Sequence, residues 1–413
     1  MRGNRNNNIE LPGGWELNIA ESREEIEAIR PVWEKLQSLE SCPTVDADID
    51  RYLTVMDTKS DSATPYIMVL SLNHKPVAMV VGKIEKRQID IKFGYKNLFR
   101  PKLKSLVVTY GGILGEINTG TASLIIRELM KQLKSRKIDM VYFNRPREDS
   151  KIFNLSRKLP GFLCRDYVPV IDTHWQTTVA DSKEEFNKAL SRNERRNISR
   201  HTKQLEQKAS GQVELKTYRG LDRLDEYISI ASEISAITYQ KMITGGFNDS
   251  NIIRSLLTDS AKKDWLRAYI LYAGSEPVAF ESGSVYRSTY FAEYRGFHPD
   301  WTCGSPGSVL LLKVLEEFSD DQNIKKYDYG FGDAPYKQRY GHEKWAEAPI
   351  YIFAPRVYPV LINIIRTFFA SLNISIKHIL GKLGFVDRIK RSWRKRLEQK
   401  AIEKQKNKSL SEA

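Results

Sequence analysis

"RAYILYAGSEPVAFESGSVYRSTYFAEYRGF", Arg267 to Phe297, is the stretch whose reading decides the fold. Its aliphatic and aromatic runs, broken by two short polar turns, predict three consecutive strands. The second strand opens on Pro277-Val278-Ala279, and proline is tolerated at a strand's first residue because no ladder donor is needed there. An earlier stretch reads the same way: "PYIMVLSLNHKPVAMVVGKIEKRQIDIKF", Pro65 to Phe93, with Pro76-Val77-Ala78 opening its second strand and IDIKF as its third. Each meander is followed by an amphipathic helix and a further strand. In the first half these are TASLIIRELMKQLKSRK and IDMVYFN; in the second, PGSVLLLKVLEEFSDDQN and IKKYDYG. The same order of elements about 200 residues apart predicts an internal duplication.

A chain of 413 residues exceeds one ordinary core and predicts roughly two to three domains. With 41% hydrophobic and 28% charged residues, it has the composition of a folded, water-soluble protein. The opening MRGNRNNNIELPGG lacks an apolar core of the secretory type. The three cysteines, Cys42, Cys164 and Cys303, are widely spaced, which fits a reducing compartment, so the cytoplasm is expected. The net charge of +14 is unevenly placed. From Ile374 to Ala413 twelve Lys or Arg face four Asp or Glu, a net of +8, leaving the body at about +6. A body so weakly basic gives no reason to expect nucleic acid as partner.

DSKEEFNKALSRNERRNISRHTKQLEQKASG, Asp181 to Gly211, reads as one long helix with Phe186, Leu190, Ile198 and Leu205 on its apolar face. Arg192, Arg196, Arg200 and Lys203 share another face, with Arg195 between the two. A solvated charged face and an anion-attracting one both fit that pattern. LDEYISIASEISAITYQ predicts a further helix before the second meander. A tail begins near Pro359. Leu361, Ile364, Ile365, Phe368, Phe369 and Leu372 mark one stripe; Val386, Ile389, Trp393 and Leu397 mark another, surrounded by basic residues. No uncharged run reaches the ~18–20 residues of a membrane span, because Arg366 interrupts the best one. Two readings stand open: a helix lying on an anionic membrane surface over residues 359–408, or a helix docked on the domain with a solvated basic end.

Several chemistries lack their motifs. There is no GxxxxGK[ST], no HExxH and no cysteine pair at metal spacing, so neither P-loop chemistry nor a metal site is expected. Cys303-Gly304-Ser305-Pro306-Gly307 misses the GxSxG elbow, and Gly330-Phe331-Gly332 starts a GxGxxG that Pro335 ends. What remains is positive. Ser305, Pro306, Gly307 and Ser308 open an apolar helix, where backbone N–H groups favour an anion such as a pyrophosphate. The plain alternative is a helix start with Ser305 as cap and Pro306 at the first position. In YDYGFGDAPYKQRYG, residues 327–341, Asp328 ends a strand among aromatic neighbours, a setting that raises a carboxyl toward general-base range. Lys337 can hydrogen-bond a developing oxyanion or a phosphate. Equally, Asp328 can cap the loop and Tyr336 can pack the core.

Four pieces in order carry a resemblance: Ser191-Arg192-Asn193-Glu194-Arg195-Arg196-Asn197; Pro277-Val278-Ala279; Ser305-Pro306-Gly307; and Asp328-Tyr329-Gly330 with Tyr336-Lys337. Over about Thr173 to Tyr351 the chain resembles the CelD-type, BioF-like acyltransferases of the GNAT superfamily, relatives of the FemAB-type peptidyl transferases. The resemblance implies an α/β fold of two tandem GNAT-like domains, each a mixed, mostly antiparallel sheet flanked by helices. It assigns residues 1–172 to a degenerate first copy, 173–356 to the acyltransferase domain and 357–413 to a basic amphipathic helical tail.

It further implies transfer from acyl-CoA, with no metal, to an amine or hydroxyl of an anionic acceptor. That acceptor would be a nucleotide sugar or lipid-linked saccharide of cell-envelope or exopolysaccharide synthesis, met at the cytoplasmic membrane face. Asp328, Tyr336 and Lys337 would be catalytic, Ser305 to Ser308 would hold the CoA pyrophosphate, and Arg192, Arg195, Arg196, Glu281 and Tyr294 would meet the acceptor. The chain departs from the family pattern where CGSPGS replaces the usual pyrophosphate loop. It also lacks the coiled-coil arm of the transfer-RNA-dependent enzymes, which disfavours the aminoacyl-tRNA alternative. A non-enzymatic basic protein binding membrane or nucleic acid is the alternative from another class.

Overall fold

The structure is a computed structural model and describes residues 9–40, 43–94, 96–238 and 246–382. The expected second apolar stripe of the tail, Val386 to Leu397, lies outside the described residues. The described residues divide into two units: those up to Thr173 together with those from Trp345 onward, and those from His174 to Lys344.

The first unit begins with β1 (Ile9–Leu11) and β2 (Trp15–Ala20). Three helices follow: α1 (Arg23–Ala28), α2 (Arg30–Ser38) and α3 (Ile49–Thr58). Then come β3 (Ala63–Leu72) and β4 (Lys75–Gln88), joined through Asn73 and His74, both left-handed as a two-residue hairpin requires. The sequence placed the third strand of this meander at IDIKF. Instead Ile91–Phe93 (β5) pairs with Lys96–Phe99 (β6) as a separate small hairpin, and the true third strand is β7 (Lys102–Gly115). An alternating run of five cannot by itself say which strand it will pair with. The amphipathic α4 (Thr119–Lys134), β8 (Met140–Phe143) and α5 (Lys151–Ser156) complete this passage.

The second unit takes β9 (Asp172–Thr178), α6 (Lys183–Ala189) and α7 (Arg192–Ala209). The single long helix expected here is broken. Leu190 is extended (ψ 127), and Ser191 starts a capping box with Glu194 that nucleates α7 afresh. β10 (Val213–Tyr218), α8 (Leu224–Ile237) and α9 (Asn251–Lys262) precede the second meander, which runs as the sequence predicts: β11 (Leu266–Ala273), β12 (Glu276–Tyr286) and β13 (Thr289–Phe297). Next are α10 (Pro306–Ser319), β14 (Lys326–Phe331), α11 (Pro335–Tyr340) and β15 (Glu343–Glu347). The chain then re-enters the first unit as β16 (Ile350–Phe353) and α12 (Val357–Lys382). Residues 345–356, grouped by sequence with the second domain, therefore return to the first.

The two sheets share one plan. Their strand orders are β1-β2-β3-β4-β7-β8-β16 and β10-β11-β12-β13-β14-β9-β15. Within β2-β3-β4-β7-β8 and within β10-β11-β12-β13-β14 the first three pairings are antiparallel and the last is parallel. Each parallel pairing is reached by the crossover helix that the sequence predicts, α4 in one and α10 in the other. The side-chain period of two gives the second sheet a core on each face: Tyr269, Leu271 and Ala273 pack toward α10, whereas Ala268 and Ile270 pack toward α8. The fold is thus two tandem mixed α/β domains with a C-terminal helix.

Candidate active site

β13 and β14 are paired only over Thr289–Phe291 and Lys326–Asp328. Beyond that, β13 continues to Phe297 against β12, and β14 turns away toward β9 with a register shift between Asp328 and Gly330. The two strands part like an opened hinge, and the gap is a cavity of about 330 Å³ in the second unit. Ala292, Glu293, Tyr294 and Arg295 form one wall, Tyr329, Gly330 and Phe331 the other, and Tyr336 and Lys337 on α11 the rim. Gly330 (φ +69) and Gly332 (φ +92) are both left-handed, which explains the glycines of YDYGFGD: they turn the chain off the strand end and back into α11. Lys337 Nζ donates to the carbonyls of Gly330 (3.1 Å) and Phe331 (2.8 Å) and so clamps that turn while lining the cavity.

Tyr294, Tyr336 and Lys337 are thus brought together as the sequence anticipates. Asp328 is not among the cavity-lining residues. Its carboxylate points to β9, where it meets His174 Nε2 at 2.7 Å and accepts from Gln176 Nε2 (3.2 Å) and from the Gly330 N–H (2.7 Å). In place of a base facing the cleft, it is the brace that holds the bend in β14. Glu281 is likewise no acceptor contact, because it is fully buried behind the cavity wall. There it accepts the Tyr327 hydroxyl (2.5 Å) and pairs with Arg295 at 3.2 Å. Arg192, Arg195 and Arg196 sit on the exposed first turns of α7, outside the cavity lining, and Arg195 donates to the Asn187 carbonyl.

Two charged cavity-wall residues were missed by sequence reasoning, Glu293 and Arg295. The available signal was their charge inside TYFAEYRGF, a central strand otherwise aromatic and aliphatic. Burial is the largest influence on Arg295 and opposes its charge, but the Glu281 carboxylate together with Tyr336 and Tyr327 outweighs it and holds the guanidinium above its usual pKa. Its Cζ lies 4.4 Å from the Tyr336 ring centre, and Nη2 donates to the Gly307 carbonyl at 3.4 Å. Burial, then the nearby Glu281 charge, pushes the Tyr327 hydroxyl far up; burial does the same for Tyr329. Both phenols stay neutral, so they can donate but not act as bases.

Arg295 links this cavity to the start of α10. Pro306 occupies the first helical position as expected, but Ser305 is left-handed (φ 44) and makes no side-chain cap, correcting the plain capping role. A short 3-10 segment, Pro299–Gly304, stands between β13 and that helix, so the small-residue run does not follow the strand directly. Gly304 is required there, since a Cβ would lie 2.4 Å from the Leu205 side chain of α7. The matching helix of the first unit differs: the Asn118 side chain accepts from the Thr121 N–H and closes the first turn of α4. Among the described residues no group of three or more His, Cys, Asp or Glu is placed to hold a metal ion.

Residues 192–338, from α7 through the cavity to α11, match the family described as an acetyltransferase (GNAT) domain. No curated protein matches the chain by sequence. Among solved structures, FemX aligns with a TM-score of 0.51 at 9% identity, over 81% of this chain and 98% of its own. A tandem GNAT protein from the clavulanic acid biosynthesis pathway aligns with a TM-score of 0.48 at 12% identity, over 83% and 99%. A probable N-acyltransferase from Enterococcus faecalis aligns with a TM-score of 0.41 at 10% identity, over 82% and 73%.

Proposed function

We propose that this protein, an enzyme of the GNAT acyltransferase type, moves an acyl group from acyl-CoA to an amine or hydroxyl of an anionic acceptor, a nucleotide sugar or lipid-linked saccharide of envelope or exopolysaccharide synthesis. One observation carries the reading. A cleft between parting strands runs, through Arg295, into a helix start whose first turn no side chain closes. The residues present fit coenzyme A. Within Ser305 to Ser308, Pro306 has no N–H and the Ser305 and Ser308 amides donate to the Thr302 and Ser305 carbonyls, so the Gly307 amide and the positive end of α10 are what this turn offers the pyrophosphate, and a buried nitrogen of Arg295, Nη1, has no hydrogen-bond partner among the described residues. The side-chain cap on α4 supports treating the first unit as the degenerate copy.

The acceptor attacks the thioester carbonyl; a C–N or C–O bond forms, the C–S bond breaks, and the CoA sulfur leaves with the proton that Glu293 has taken from the acceptor. Glu293 is the cavity-lining carboxylate that takes the acceptor's proton, steadied by a hydrogen bond from the Ser284 hydroxyl (3.0 Å). Arg295 and Lys337 supply positive charge to the developing oxyanion, a task of the kind whose removal costs about 10²–10³ in rate. Tyr294 and Tyr336 flank the acceptor, and the exposed arginines of α7 draw it in by its charge. The test is free-thiol release from acetyl-CoA and longer acyl-CoAs across a nucleotide-sugar panel, with calorimetry for CoA binding. Absence of both turnover and CoA binding overturns the reading; retention of charged transfer RNA without CoA binding replaces the donor.

A further inference from the structure

α12 is apolar on almost every side. Among the described residues, Val357–Ile376 is the one stretch long and apolar enough to cross a membrane. Its Asn363, Arg366 and Asn373, however, point into the first unit. Arg366 is buried and forms a two-pronged pair with Asp166 (2.9 and 3.0 Å) beneath the Tyr351 ring. Asn363 donates to the carbonyls of Leu163 and Arg165, and Asn373 both donates to the Lys92 carbonyl and accepts the Gly94 N–H. Ile362, Ile365 and Phe369 pack with them against the core. These pins fix the rotation of the helix on the domain. Pulling it into a bilayer as a span would strand a guanidinium and its buried carboxylate partner.

The opposite stripe faces solvent. Val357, Leu361, Ile364 and Phe368 are exposed at helical spacing, Phe368 at 61%. Two neighbouring elements extend it. The β5–β6 hairpin, which packs along α12, exposes Phe93, Leu98 and Phe99; the 3-10 turn Phe162–Cys164 exposes Phe162 at 70% and Leu163. An apolar surface drawn from three elements marks an interaction site. Its charge surroundings say with what. Val357–Ile376 contains no Asp or Glu, and the hairpin margin carries Lys92, Lys96, Arg100 and Lys102 against Asp90 alone. The sequence after Lys382 adds ten Lys or Arg against four Asp or Glu. An aromatic and aliphatic plateau with a cationic margin complements an anionic lipid surface: side chains enter the acyl boundary while the basic groups meet phosphate.

We propose that this face of the first unit seats the protein on an anionic bilayer, with α12 lying in the interface plane and not crossing it. The proposal stands apart from the acyl-transfer reading, since none of these residues touches the cleft. The test is flotation of the full chain with phosphatidylcholine vesicles and with vesicles containing 30% phosphatidylglycerol. Two variants on separate elements, Leu361→Asp/Phe368→Asp and Leu98→Asp/Phe99→Asp, accompany the natural chain. The expected result is flotation with anionic vesicles, at least tenfold less for either variant at unchanged melting temperature, and release by alkaline carbonate. A bound fraction unchanged in both variants, or no flotation of the natural chain, overturns it. Resistance to carbonate would overturn it in favour of a span. A natural chain that is dimeric in light scattering and becomes monomeric on Leu361→Asp/Phe368→Asp would overturn it in favour of a second copy as the occupant.

Discussion

Replacing Glu281 with Gln keeps the acceptor of the Tyr327 hydroxyl and nearly all of the side-chain volume, but it removes the charge opposite Arg295. Breaking a buried pair by deleting one partner costs about 3–5 kcal/mol, because the survivor is left charged and unpaired. Glu281 has no exposed side-chain surface, whereas Arg295 keeps 20% of its own. Water therefore reaches the orphaned guanidinium in part, and the lower end, about 3 kcal/mol, is expected. At 1.4 kcal/mol per factor of ten, that is roughly a hundredfold in the folded-to-unfolded ratio. The double variant Glu281→Gln/Arg295→Met leaves no unpaired charge and should recover most of the loss, with a coupling of about 2 kcal/mol. Turnover should not follow. Arg295→Met and the double variant should both lose about 10²–10³ in kcat/KM, because the cation of the cleft wall is gone in each. Urea unfolding of the four proteins, with thiol release measured in parallel, reads both quantities. Additive stabilities, or a double variant that regains turnover, would refute the reasoning.

Lys337→Met removes two charge-assisted bonds to the last two residues of β14, each worth about 1.5–3 kcal/mol, so kcat/KM should fall by about a hundredfold or more. Full activity with an unchanged melting temperature would remove Lys337 from the mechanism. Gly307→Ala fits sterically, its nearest foreign atom being Phe297 Cδ1 at 3.4 Å, yet it puts a methyl at the mouth of α10. It should raise KM for acyl-CoA by about tenfold and leave kcat alone, and an unchanged KM would move the pyrophosphate elsewhere. Burial holds Glu40 above the usual carboxyl pKa although it accepts the Gly115 N–H. A carboxyl raised on folding favours the native state only where it is protonated, so its ionisation costs stability as pH rises past that range. Glu40→Gln should therefore raise the melting temperature at pH 7, with a gain that fades below the ordinary carboxyl pKa. A gain independent of pH would contradict this.

Local pattern carried much of the fold. β11, β12 and β13 lie where alternation and turns put them, and α10 starts at Pro306 as the residue order demands. Features made by distant partners were hidden. IDIKF looks like any strand until β7 supplies the better neighbour for β4. Arg366 reads as an interruption of an apolar helix until Asp166, 200 residues earlier, is found beneath it. The site divides the same way. Tyr294, Tyr336 and Lys337 follow from a strand end and a glycine turn, while the inward turn of Asp328 depends on His174 and Gln176 across a strand pairing. Glu281 is polar in the sequence and buried in the fold because its counter-ion sits on the adjacent strand.

The return of β16 to β8 has a consequence for synthesis on the ribosome. β8, Met140–Phe143, is wholly buried in the finished sheet, and its outer edge waits for Ile350–Phe353. About 200 residues must be translated between them, which at about 5–20 residues per second takes about 10–40 s. Throughout that interval the nascent first unit presents an unpaired apolar edge strand, the kind of edge that recruits other chains. The second unit is complete in sequence before the first can close its sheet, so maturation runs from the inserted unit outward, and β16 is the last strand laid.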